Sequence, residues 1–224
     1  MKDQYFGDFG DYQKISLLKE LQRQKLSILV HWMKTRDDDS SDGKHISYLF
    51  GSERWRSFDS DTYDFLKESM GSGKRTLTHI EKSTFCPSVE FISDYIENEN
   101  VRNVLLNKVK KNESEIALFD PDNGIEVAST NKKNRHKYVS WDEIEAAYGS
   151  GKSVIIYQHY PRVNRAEYIQ ERLAKIEKHL GCKPFAIQVR HSAYLIAPQH
   201  KHEKRLRTAA ENFSHVWGSL GILH

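Results

Sequence analysis

Residues 115–126 read Glu-Ile-Ala-Leu-Phe-Asp-Pro-Asp-Asn-Gly-Ile-Glu. Glu115 to Phe119 is a short apolar run, and it stops abruptly at Asp120–Pro121. That is the pattern of a buried strand entering a turn. Two other runs share its character. Leu26 to Met33 leads into the polar stretch Thr35 to Lys44, and Ser153 to Gln158 leads into His159–Tyr160–Pro161–Arg162. Apolar runs without alternation belong to strands covered on both faces, as in parallel sheets flanked by helices.

Helical patterns lie between these runs. Tyr12 to Arg23 places Ile15, Leu17, Leu18 and Leu21 on one face, and Thr62 to Met70 is helical up to the Gly71–Ser72–Gly73 turn. Arg75 to Ile80 reads as a weaker strand. Pro87 fits the first turn of a helix continuing towards Val109. Ser140 with Glu143 has the spacing of a capping box for a helix ending at Gly149 to Gly151. Asn164 to Leu180 is a helix closed by Gly181. Phe185–Val189 and Ala193–Ile196 read as two strands joined by a tight turn, and His200 to Val216 as a last helix. Strands separated by helices predict right-handed βαβ units. The expected fold is one α/β domain over residues 1–224: a three-layer, Rossmann-like, mainly parallel sheet with an antiparallel C-terminal strand pair.

The length of 224 residues suits one hydrophobic core. Two cysteines, Cys86 and Cys182, lack metal-ligand spacing, and no disulfide framework is expected. No apolar run is long enough to cross a bilayer, and the N-terminus lacks a signal-peptide core. The expected location is therefore the cytoplasm, with no membrane partner. The net charge of +3 is mild, but its distribution is uneven. Basic residues cluster at Lys132, Lys133, Arg135 and Lys137 and again from Arg162 to Arg207, whereas acids gather at Asp37 to Asp42. Separated patches of this kind suit a phosphate backbone meeting an acidic reaction centre. A solvated surface of mixed charge would look similar along the C-terminal helices.

In open α/β sheets ligands bind outside the carboxyl ends of the strands. Three candidate loops should meet there. Asp120, with Asp122 and Glu126 close behind, is a candidate carboxylate cluster for Mg²⁺ or Mn²⁺, or for acid chemistry without a metal. The same residues also suit an ordinary turn. His159 is a candidate proton-transfer group and Arg162 a phosphate clamp. Asn123 and Tyr160 would contact substrate, and Lys132, Lys133 and Arg135 would track a backbone. Tyr160 or Trp141 could stack on a flipped base. Near the N-terminus two Gly–Asp pairs, Gly7–Asp8 and Gly10–Asp11, precede a helix; Asp11 reads as its cap. Lys14 in the first turn opposes the helix dipole, so it is expected to meet an anion or a site carboxylate. Asp42 and Lys44 are the candidates in the acidic loop.

Gly7 to Lys14, followed by Asp120–Pro121–Asp122–Asn123 and a long apolar strand, resembles the bacterial ribosomal-RNA adenine-N6 methyltransferases. Those enzymes open on a Gly-Asn-x-x-Asp-x-x-Lys helix and carry an Asp-Pro-Pro-Tyr loop. The chain is also similar to partner proteins of three-Cys-motif genes. The resemblance implies a class I methyltransferase-like scaffold with Lys14 and Asp120 at the active centre. Two features depart from that group. The place of the glycine-rich cofactor turn holds Thr35–Arg36–Asp37–Asp38–Asp39, and the second Pro and the Tyr are replaced by Asp122 and Asn123. The expectation is a hydrolase of nucleic acid, acting on the phosphodiester or the glycosidic bond through Asp120, Asp122, His159 and Lys14. The alternatives are a methyltransferase using S-adenosylmethionine, and a non-catalytic module binding nucleic acid or protein.

Overall fold

A computed structural model describes residues 1–37, 43, 45–71, 73 and 75–224. Asp42 and Lys44, and most of the Asp37–Asp42 stretch, fall outside the described residues. The elements in chain order are α1 (Phe9–Arg23), β1 (Ile28–His31), α2 (Ser60–Gly71), α3 (Thr78–Glu81), β2 (Val89–Ile92) and α4 (Glu99–Lys111). They continue as β3 (Ile116–Phe119), β4 (Gly124–Ile125), β5 (Tyr138–Val139), α5 (Trp141–Gly149), β6 (Ser153–His159) and α6 (Arg165–Leu180). The chain closes with β7 (Phe185–Val189), β8 (Ser192–Ala197), α7 (His200–Trp217) and β9 (Gly221–Leu223).

The main sheet has seven strands in the order β2-β1-β3-β6-β8-β7-β9. Strands β2, β1, β3 and β6 are parallel; β8 runs antiparallel to β6 and to β7, and β9 antiparallel to β7. The fold is thus α/β with a mixed sheet, parallel in its first half, which is compatible with a Rossmann-like architecture. Each parallel strand alternates between two apolar clusters. Ile28 and Val30 face the cluster that holds Leu17 and Leu18 of α1, Leu66 of α2 and Phe213 of α7. Leu29 faces the other, with Leu105 of α4, Ile144 of α5 and Ile169 of α6. Helices therefore cover both faces, which is why β1 and β3 are buried along their whole length.

Several local expectations hold at residue level. Ser140 and Glu143 form a reciprocal capping box at the start of α5. Gly181 ends α6 in the left-handed conformation at φ 65°. Other expectations are corrected. Arg75 to Ile80 is not a strand: α3 forms there, with the Leu77 amide bonded to the Asp3 carboxylate (3.0 Å) and Leu77 and Ile80 buried. An apolar pair spaced by three is as good a helical signal as a strand signal in so short a run. Pro87 does not open a helix. It lies in the turn before β2, whose register beside β1 outweighs the local preference; the helix begins only at Glu99, capped by Asn98. Strand β9 has no distinct sequence pattern because three residues are too few to show one.

Candidate functional site

The carboxyl ends of β3 and β6 and the start of α1 enclose a cavity of about 710 Å³. Asp120 follows directly on β3, and its amide donates to the His31 carbonyl (3.0 Å). That bond continues the β1–β3 ladder one residue beyond the strand, so a rigid element aims the carboxylate. Asp120 is 1% exposed. Its Oδ2 accepts from Lys14 Nζ at 2.8 Å, and the same ammonium donates to Asp11 Oδ1 at 3.0 Å. Lys14 also lies 4.7 Å from the Tyr157 ring centre. Its burial alone would favour the neutral amine; the charges of Asp120 and Asp11 reverse that and raise its pKa, so it stays a cation.

The cap of α1 is Asp8, not Asp11. Asp8 Oδ1 accepts from the Asp11 amide (2.9 Å), while Asp11 Oδ2 accepts from the Gly7 amide (3.1 Å). Asp11 thereby joins the Lys14 cluster, and the helix starts three residues earlier than the apolar pattern implies. The Asp8 carboxyl is pushed up to about 7, chiefly by burial and then by the charge of Asp11. Burial is also the leading reason that Asp11 is raised. Asp8 lines the cavity beside Tyr157: a methyl added at Gly10 would sit 2.6 Å from the Tyr157 hydroxyl and 3.1 Å from Asp8 Oδ1. Glycine at this point is what lets the helix start approach the strand.

His159 ends β6 on the cavity rim, its ring edge-on to Tyr157 at 5.0 Å between centres. His159 is exposed to the cavity mouth; the partial desolvation of its ring lowers its pKa, against the pull of Asp120. The loop after β3 is locked to β6 by Gln158. Its Oε1 accepts from the Ile125 amide (2.9 Å), and its Nε2 donates to the Asn123 carbonyl (3.1 Å). Gly124 has φ 118°, and any side chain there would collide with Gln158. The loop then returns through β4 and β5, which pair in parallel.

Five of the expected site residues line this one cavity: Lys14, Asp120, Asp122, Asn123 and His159. Asp122 Oδ1 lies 2.7 Å from the Met1 ammonium, and Oδ2 accepts from Thr35 Oγ1 (3.1 Å). Burial would raise its pKa, but the ammonium prevails and the group is lowered. Glu126 points elsewhere, accepting from the Trp141 amide at 2.8 Å. Among the described residues no group of three His, Cys, Asp or Glu side chains is placed to hold a metal ion. Tyr160 packs against the core cluster of α5 and α6, and Arg162, Lys132 and Lys133 are exposed outside the cavity lining. Arg135 lies 3.4 Å from Glu99. Lys137, His45 and His191 also line the cavity, with the His45 and His191 rings stacked at 5.6 Å, and Lys2 lines it as a buried residue.

Asp8, Tyr157 and Gln158 are site residues that sequence reasoning passed over. The doubled Gly–Asp pattern carried a signal for Asp8. Tyr157 and Gln158 sit inside an apolar strand, and only the pairing of strands shows what they face. No protein-family model matches this chain, and no curated protein matches it. Among the described residues no helix is long and apolar enough to cross a membrane.

Proposed function

We propose that the protein is a hydrolase acting on nucleic acid, with its active centre in the cavity between Asp8, Asp120 and His159. The observation that carries this reading is the unlike surroundings of two carboxyl groups that line one cavity. Asp120 is held against a permanent cation, whereas Asp8 is raised to about 7 at the wall of the same cavity. Carboxyl groups in unlike surroundings can divide the work of acid and charged stabiliser.

In this reading Asp8 donates a proton to the leaving group and Asp120 stabilises positive charge developing on the sugar. The neutral His159 accepts a proton from the attacking water. Such a division suits the N-glycosidic bond better than the phosphodiester, because an oxocarbenium-like centre needs an anion beside it. A base reached in this way is first turned out of its stack. Lys137 at the cavity, and the exposed Lys132 and Lys133 beyond it, would face the phosphates. Exposure of labelled DNA and RNA strands to the protein tests the reading. Abasic or shortened product supports it, and intact strands under every condition reject it.

A second reading, a methyltransferase on a class I-like scaffold, is favoured by one observation. The 2.8 Å pair of Lys14 and Asp120 joins the two residues that the resemblance implies for the active centre. Against it, the ends of β1 and β3 are covered by Met1, whose ammonium lies 3.2 Å from the Met33 carbonyl and 3.3 Å from that of Asp120. Thr35 also donates its amide to the Met1 carbonyl (2.9 Å). Calorimetric titration with S-adenosylmethionine separates the two: saturable heat supports the methyltransferase, and none supports the hydrolase.

A further inference from the structure

A second cavity, of about 510 Å³, lies between α6, the first residue of α5 and residues 126–128. It shares no lining residue with the carboxylate cavity. Arg172, Lys175, Lys178 and His179 enter it from one face of α6, at the spacing of successive helical turns. Arg172 is 5% exposed. Its guanidinium lies over the Tyr168 ring at 4.8 Å and hydrogen-bonds the Tyr168 side chain, but its Nε has no hydrogen-bond partner, and among the described residues it forms no ion pair. Burying a guanidinium without a counter-charge is costly, and an arriving anion offsets that cost. The planar fork of donors matches a phosphate.

Of the neighbouring basic groups, His179 is engaged by Glu145 at 2.6 Å, while the two lysines leave the site open to an anion. Lys175 pairs with Glu171 on the exposed side of the helix, an arrangement that holds it only weakly. Lys178 forms no ion pair among the described residues. The wall opposite is Trp141, whose ring is parallel to that of His179 at 4.0 Å. Glu126 is the one carboxylate in the lining, and its Oε1 is engaged by the Trp141 amide.

We propose that this groove binds a phosphate group, with Arg172 as its principal donor and Lys178 in support. Resting on the nucleic-acid reading above, the phosphate belongs to the backbone of the strand whose reacting unit enters the carboxylate cavity.

Trp141 in the groove wall supplies the readout. Its fluorescence is followed during titration with inorganic phosphate, and a labelled single-stranded oligonucleotide is titrated separately by anisotropy. Trp141→Phe identifies the signal. The expected result is a saturable change with phosphate in the native protein, lost in Arg172→Gln. Oligonucleotide affinity should fall roughly ten-fold in the same variant and be unchanged in Glu68→Gln, an exposed position outside both cavities. Should Arg172→Gln fail to fold, Lys175→Ala/Lys178→Ala carries the test, because both side chains are exposed; several-fold weakening is expected. No saturable change with phosphate, or equal affinity in native and variant protein, overturns the proposal. Phosphate binding lost on substitution, without any oligonucleotide binding, upholds the groove and rejects the nucleic-acid strand as its ligand.

Discussion

Lys14 Nζ and Asp120 Oδ2 lie 2.8 Å apart although 106 residues separate them in the chain. Both residues are almost wholly buried, at 2% and 1% exposure. The pair fastens the first helix to the end of a central strand and fixes the charge of the site at the same time. Breaking it leaves an uncompensated charge in the interior. Lys14→Met should therefore destabilise the protein by about 3–5 kcal/mol, measured by urea unfolding. A loss under 1 kcal/mol would show that the pair is not formed in solution.

Asp8 gives a pH-dependent stability of opposite sign to that of an ordinary paired carboxylate. Its folded-state pKa, about 7, is above the ordinary 3.8, so the folded chain holds the proton more tightly. The contribution is complete below about pH 4 and is lost as pH rises through 7. Asp8→Asn preserves the helix cap, since asparagine caps equally well. The variant should match the native protein at pH 4 and exceed it at pH 8 by on the order of 1–3 kcal/mol. Guanidinium unfolding at the two pH values checks this, and a variant less stable at pH 8 contradicts it.

The same two groups predict the shape of the activity profile. Hydrolysis should fall on the alkaline side as Asp8 loses its proton near 7, and on the acid side as His159 gains one below its ordinary pKa. His159→Gln should abolish the acid limb and lower the maximum by about 10²–10⁴-fold. An unchanged acid limb in that variant removes His159 from the mechanism.

Gly124 tests the support beneath the site. Alanine there meets Gln158 and must also take up φ 118°. Gly124→Ala should cost about 1–3 kcal/mol and release the loop bearing Asp122 and Asn123. Hydrogen exchange of the Ile125 amide, now bonded to Gln158 Oε1, reports the release directly. Retained protection would show that the loop is held by other contacts.

How far these features were legible in the sequence follows from where each signal resides. An apolar strand broken by a polar residue marks the strand's exit, so Asp120 and His159 could be placed on one rim from their own neighbours. Lys14 stood out because its charge opposes the helix dipole, and the structure supplies two carboxylates to meet it. Asp11 was misread as the cap because the apolar pattern starts only at Tyr12; Phe9 extends the helix by packing against Tyr48 and Trp55, residues distant in sequence. Tyr160 and Arg162 follow closely on His159, but Tyr160 packs against the cluster of α5 and α6 and Arg162 is exposed, so neither lines the cavity. Glu126 is drawn off by the start of α5, a contact made only after the loop returns through β5. Local pattern thus encodes where a strand ends, while long-range pairing decides which residues meet there.

The most direct test compares native protein with Asp120→Asn on labelled DNA and RNA strands at pH 6.5–7, near where Asp8 changes charge. Native protein should release bases or cut the strand. The variant, similar in shape and unable to supply the negative charge, should be slower by at least about 10²-fold with its fold intact by circular dichroism. Equal rates in the two proteins, or intact strands with both, would contradict an active centre built around Asp120.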